Sequence, residues 1–121
     1  MNGIRRSLMG AAALVVLAAA ACNEQRRHEC DSLLDAMKPL DKGTPSAEVV
    51  KSVDKQIEGL KLTDETLKIY AGNYRSKLGV LSGTLELKAS SSPPDGVDEV
   101  IATNLKKART DAADVARYCA P

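Results

Sequence analysis

Apolar residues recur at steps of three and four along most of the chain beyond residue 23, and the stepping breaks at three places. Such steps return a residue to the same side of a helix every turn, so each unbroken run predicts a helix that buries one face. The first break is Pro39 followed by Asp41-Lys42-Gly43-Thr44-Pro45. The second runs from Gly59 to Thr63, and the third is Ser90-Ser91-Ser92-Pro93-Pro94-Asp95-Gly96. Proline and glycine interrupt regular structure here, so the chain divides into four helical segments.

The first segment runs from about Glu24 to Lys38, with Cys30, Leu33, Leu34 and Met37 on one face. The second is expected to open with Thr44 as N-cap and Pro45 at its first position. Its stripe is Val49, Val50, Val53, Ile57 and Leu60. The third takes Thr63 as N-cap, with Asp64 and Glu65 in the first turn, where the helix dipole favours acids. Its stripe is Leu67, Tyr70, Tyr74, Leu78, Leu81 and Leu85. The fourth opens near Val97, with Asp98 and Glu99 early and Arg117 late, and carries Val97, Ile101, Leu105, Ala108, Ala112, Val115 and Cys119. Four amphipathic helices with short connections predict an all-α fold, a small antiparallel four-helix bundle.

The segment Gly79-Val80-Leu81-Ser82-Gly83-Thr84-Leu85-Glu86-Leu87 is the weak point of the third helix. Each interior glycine costs about 1 kcal/mol against alanine in a helix, and Ser82-Gly83 suits a hairpin turn. The unbroken stepping of the main stripe favours helix.

The third helix carries a second stripe. At 100° per residue, Ile69, Gly72, Ser76, Val80, Gly83 and Leu87 share a direction well over 90° from the core stripe, with Gly79 beside them. Asn73, Lys77 and Thr84 separate the two stripes on one side, and Lys68, Arg75 and Glu86 on the other. Small residues let another backbone approach closely. One reading is a face for a partner helix or an apolar ligand. The other, favoured on residue pattern alone, is packing inside the bundle against the alanines Ala102, Ala113, Ala116 and Ala120 of the fourth helix.

Composition narrows the function. Aromatics are 2% of the chain: three Tyr, no Trp and no Phe. The core is therefore aliphatic, as suits close-packed helices better than a β-sandwich. Base stacking is nearly unavailable, which argues against a single-strand nucleic-acid binder. The 17 basic and 16 acidic residues give a net charge of +1. Removing residues 1–21 removes only Arg5 and Arg6, leaving a net charge of −1 with the signs interspersed. No basic field remains to attract nucleic acid.

The amino-terminal segment has its own pattern. Arg5 and Arg6 precede Leu8 to Ala21, an uncharged run of 14 residues that ends Ala19-Ala20-Ala21-Cys22. That length fits the apolar region of an export signal and is short for a membrane span. Small residues just before a cysteine resemble the lipobox of bacterial lipoprotein precursors, with Ala19 where that family prefers Leu. The resemblance covers only the export segment. It implies that residues 1–21 are removed and that Cys22 carries a diacylglyceryl group and an acylated (typically palmitoylated) amine. It also implies a membrane-anchored domain over residues 22–121. An ordinary secretory signal cut at Ala-x-Ala is the alternative. Ile4 and Leu8 depart from the twin-arginine pattern. Asn23 in place of Asp after the cysteine is similar to outer-membrane sorting in enterobacteria, so the expected location is the cell envelope, facing the periplasm or the surface. No linker separates Cys22 from Cys30, which sets the domain against the membrane.

With Cys22 acylated, Cys30 and Cys119 remain, an even number in an oxidising compartment, and a disulfide is expected. Both fall on apolar faces, and in an up-down-up-down bundle the start of the first helix and the end of the fourth share an end. A His28–Cys30 metal pair is a poor rival, because residues two apart do not share a helix face.

Catalytic chemistry finds no foothold. The sequence has no nucleophile elbow, phosphate loop, paired histidine ligands or Cys-x-x-Cys, and His28 is its one histidine. No cofactor is expected. Tyr70 and Tyr74 belong to the core stripe with hydroxyls at the rim. Arg26, Arg27 and His28 sit where they could meet anionic headgroups or simply face water. Two functions stand: a non-catalytic envelope lipoprotein that binds another envelope protein, and a binder of a small apolar ligand between helices.

Overall fold

The computed structural model describes residues 23–121; the expected export segment, residues 1–21, and Cys22 lie outside the described residues. The described chain forms four helices: α1 over residues 23–37, α2 Ala47–Glu58, α3 Glu65–Lys88 and α4 Val97–Cys119. A 3-10 turn, Lys38–Leu40, closes α1. Among the described residues there is no strand.

The helix ends follow from local chemistry, with two corrections to the expected caps. Pro39 lacks an N–H and cannot continue the α-helical ladder, so α1 tightens into the 3-10 turn, which plugs Leu40 into the core. Helix α2 begins after Thr44 and Pro45: Ser46 is its N-cap, with its Oγ accepting the Val49 N–H at 3.2 Å. Asp64, not Thr63, caps α3, its carboxylate accepting the Leu67 N–H at 2.9 Å. A carboxylate is the stronger acceptor and also opposes the dipole of the first turn. Thr63 is displaced because it is engaged elsewhere, as described below. Gly96 precedes α4 with φ of 81°, a left-handed turn that a side chain would strain.

Helix α3 runs unbroken through Gly79 and Gly83, so the hairpin alternative does not form. The hydroxyls there bond back along the helix, Ser82 to the Gly79 carbonyl at 3.2 Å and Thr84 to the Val80 carbonyl at 2.7 Å.

The apolar stripes meet in a single core. Leu33, Met37, Val50, Val53, Ile57, Leu67, Tyr74, Leu78, Leu81, Ile101, Leu105 and Val115 are all buried. Val49 is an exception. It lies about 100° around α2 from Val50, and only one of the two can face inward. Tyr74 is buried whole, at 1% exposure, whereas Tyr70 is half-buried. Helix α3 packs against α2 on one side and α4 on the other. Cys30 and Cys119 form a disulfide with a Cα–Cα separation of 5.7 Å, so the middle of α1 lies against the last residue of α4, as an up-down-up-down order allows.

Candidate interaction face on the third helix

The flanks of α3 are tied to its neighbours by charge. Arg75 pairs with Asp54 at 2.8 Å and with Glu58 at 3.4 Å, and Glu86 pairs with Lys51, all from α2. On the opposite flank Lys77 pairs with the part-buried Asp111 of α4. These contacts hold α2 and α4 at the two sides of α3 and leave its outer face uncovered. Ile69, Gly72, Ser76, Val80, Gly83 and Leu87 are all exposed, the three large residues at 63%, 51% and 52%. The expected packing of this stripe against the alanines of α4 is therefore not what forms. Ala102, Ala113, Ala116 and Ala120 are themselves exposed.

The glycines sharpen the observation. A Cβ placed on Gly72, Gly79 or Gly83 would meet nothing within 4 Å. Among the described residues no contact needs a small residue at these positions, although each glycine lowers helix stability by about 1 kcal/mol relative to alanine. Ile69, Val80 and Leu87 are also three of the five large hydrophobic residues that the described surface exposes. They share one helix face, so their exposure is concentrated and not scattered.

A second feature gathers at the end of the bundle that holds the disulfide. Glu29 of α1 is buried to 3% exposure. One of its oxygens accepts the Thr63 and Asp64 N–H groups, the latter at 3.1 Å, and the other accepts the Thr63 hydroxyl at 2.8 Å. Burial alone would raise its pKa, but these bonds outweigh it and hold the carboxyl below its ordinary value. Asp64 behaves alike. Burial works upward, and bonds from the Leu67 N–H and the Tyr118 hydroxyl win, so it too is lowered. The Tyr118 hydroxyl donates to both Asp64 oxygens, at 3.1 and 2.9 Å. Its ring meets Tyr70 at 6.2 Å between centroids, and the Arg26 guanidinium lies 5.2 Å from that ring. Arg26 thus has a partner within the chain. The Glu29 anchor escaped the sequence reading although a signal was present. Glu29 precedes Leu33, Ala36 and Leu40 at helical steps, a charged residue on a core face.

Among the described residues, hollows open at the surface. One is a surface groove of about 790 Å³ along α4 and the α1–α2 loop, floored by Ile101 and Leu105 and rimmed by Lys88, Lys106 and Arg109. Arg109 holds that loop, its Nε donating to the Leu40 carbonyl at 3.0 Å. His28 lines a smaller hollow with Glu29 and Leu62, and its supposed metal partner Cys30 is consumed in the disulfide. Among the described residues no group of three His, Cys, Asp or Glu could hold a metal ion, and no described helix is long and apolar enough to cross a membrane. No family model, curated protein or solved structure matches the chain.

Proposed function

We propose that the protein is a non-catalytic, lipid-anchored envelope protein whose small helical bundle presents the outer face of α3 to a protein partner. The observation that carries this reading is the exposure of Ile69, Val80 and Leu87 on one face, beside three glycines for which the chain itself has no use. The binder of an apolar ligand is less favoured, because the groove and hollows described lie at the surface and the stripe residues between the helices fill the core.

The anchor reading rests on the Ala19-Ala20-Ala21-Cys22 sequence and on the position of α1, already helical at Asn23. One residue step then separates an acylated Cys22 from the folded domain, which sits against the membrane, the outer membrane by its Asn23 signal. Intact-mass analysis of protein purified from native envelopes should give a chain beginning at Cys22 and carrying acyl groups. Cys22→Ser should remove them. Mature masses that differ only by the substitution would rule out the anchor.

The face itself is tested by a photo-crosslinking residue at Val80, with an equivalent at the exposed Lys107 of α4 as control. In intact envelopes Val80 should yield discrete protein adducts and Lys107 should not. Equal labelling, or none from either position, would remove the interaction reading.

A further inference from the structure

The outer face of α3 is nearly symmetric about its own midpoint. Ile69 and Leu87 stand 18 residues apart, five full turns, and therefore point the same way at the two ends of a face about 27 Å long. Between them lie the small residues Gly72, Ser76, Gly79 and Gly83, with Val80 as the single bulky side chain. A two-fold axis near residue 78 would exchange Ile69 with Leu87, bring Gly72 close to Gly83, and set Val80 opposite Ser76. Two helices that cross are nearest at the crossing and diverge toward their ends. Ser76 and Gly79 stand beside the crossing here with Val80, Gly72 and Gly83 lie about 8–9 Å to either side, and Ile69 and Leu87 fill the widening gaps.

Charge selects the direction of pairing. In an antiparallel pair the same flanks face each other. Lys68 and Glu86 lie on the same flank, also 18 residues apart, so Lys68 of each copy comes beside Glu86 of the other, twice over. Their present partners, Glu65 and Lys51, are exposed surface contacts that constrain them weakly. A parallel pair would instead bring Arg75 toward Lys77 and offer Lys68 no acid.

We infer that the partner of this face is a second copy of the same chain, paired antiparallel along α3 through Gly72, Ser76, Val80 and Gly83. The inference deepens the interaction reading above and rests on it. One helix face falls short of the roughly 800 Å² per partner of a stable interface, so the pairing is weak and concentration-dependent. The two Cys22 ends then lie at opposite ends of the pair, which two copies in one membrane accommodate with α3 along its surface.

The test uses the exported chain with Cys22→Ser, released in soluble form, so that its outcome does not depend on the anchor. Sedimentation equilibrium from about 10 μM to 1 mM should give a weight-average mass that rises from monomer toward dimer, across the range where weak associations are read. Gly83→Leu should weaken the pairing at least tenfold while leaving the melting temperature unchanged or higher, because its side chain enters open space in the single chain. Lys68→Glu and Glu86→Lys should each weaken it several-fold, and the two together should restore it. A monomer throughout, or a dimer indifferent to Gly83→Leu, overturns the proposal, and failure of the double exchange to restore pairing overturns the antiparallel arrangement. If Val80 still crosslinks to a different protein in envelopes while the chain stays monomeric, the interaction reading survives and self-pairing does not.

Discussion

Reduction of the Cys30–Cys119 bond should lower the melting temperature by about 10–20 °C while most of the far-UV helical signal persists at room temperature. The bond closes a loop of sequence separation 89, most of the described chain. The chain-entropy model assigns such a loop about 4.6 kcal/mol. Helical unfolded chains retain local structure, so roughly half of that is a better expectation. Each kcal/mol moves the midpoint of a 100-residue domain by about 4–8 °C. Persistence of the fold follows from where the rest of the core lies. Val50, Leu78, Leu81 and Leu105 are buried well along the helices from the bonded end and owe nothing to the bond. Circular dichroism with and without reductant checks both parts. Complete loss of helicity on reduction would make the chain a disulfide-dependent scaffold. Free thiols in protein made in the periplasm would mean that the bond does not form there.

The four helices were legible because three features agree in the sequence: the three-four stepping, the breaks rich in Pro and Gly, and the placement of Cys30 and Cys119 on inward faces at one end. The caps were less so. Thr44, Ser46, Thr63 and Asp64 are all competent N-cap residues. The selection at the second junction is tertiary, since Glu29 from α1 takes the Thr63 N–H and hydroxyl and leaves Asp64 to cap α3. The outer face of α3 was visible as a stripe, but not its exposure. Stripe geometry says which residues point together. Whether a neighbour covers them depends on where α2 and α4 settle, and the pairs Arg75–Asp54 and Lys77–Asp111 that fix this join residues 21 and 34 positions apart. The stepping of a single helix carries no information about such partners.

Glu29→Ala should destabilise the bundle by about 1–3 kcal/mol, because it removes the acceptor of the Thr63 and Asp64 N–H groups at a part-buried junction. The midpoint should fall by about 5–20 °C, with part of the loss recovered by Glu29→Gln, whose neutral carbonyl can still accept an N–H group. A dependence on pH distinguishes this role from simple packing. The Glu29 carboxyl is held below its ordinary value of 4.5 in the folded chain. For a lowered acid the unfolded state binds more protons than the folded state as pH falls. Its stabilising contribution is therefore complete above the unfolded value, near pH 4.5, and is lost as pH falls through the folded value. Asp64 is lowered too and titrates in the same direction, so the variant should keep part of the acid slope and lose the Glu29 share. Unfolding free energies of wild type and Glu29→Ala should thus be furthest apart above pH 5, and the gap should narrow as pH falls below the ordinary carboxyl value. A gap that stays constant over that range would show that Glu29 acts through the volume of its side chain and not through its charge. The bonds to Thr63 and Asp64 would then be incidental to the joining of α1 to the start of α3.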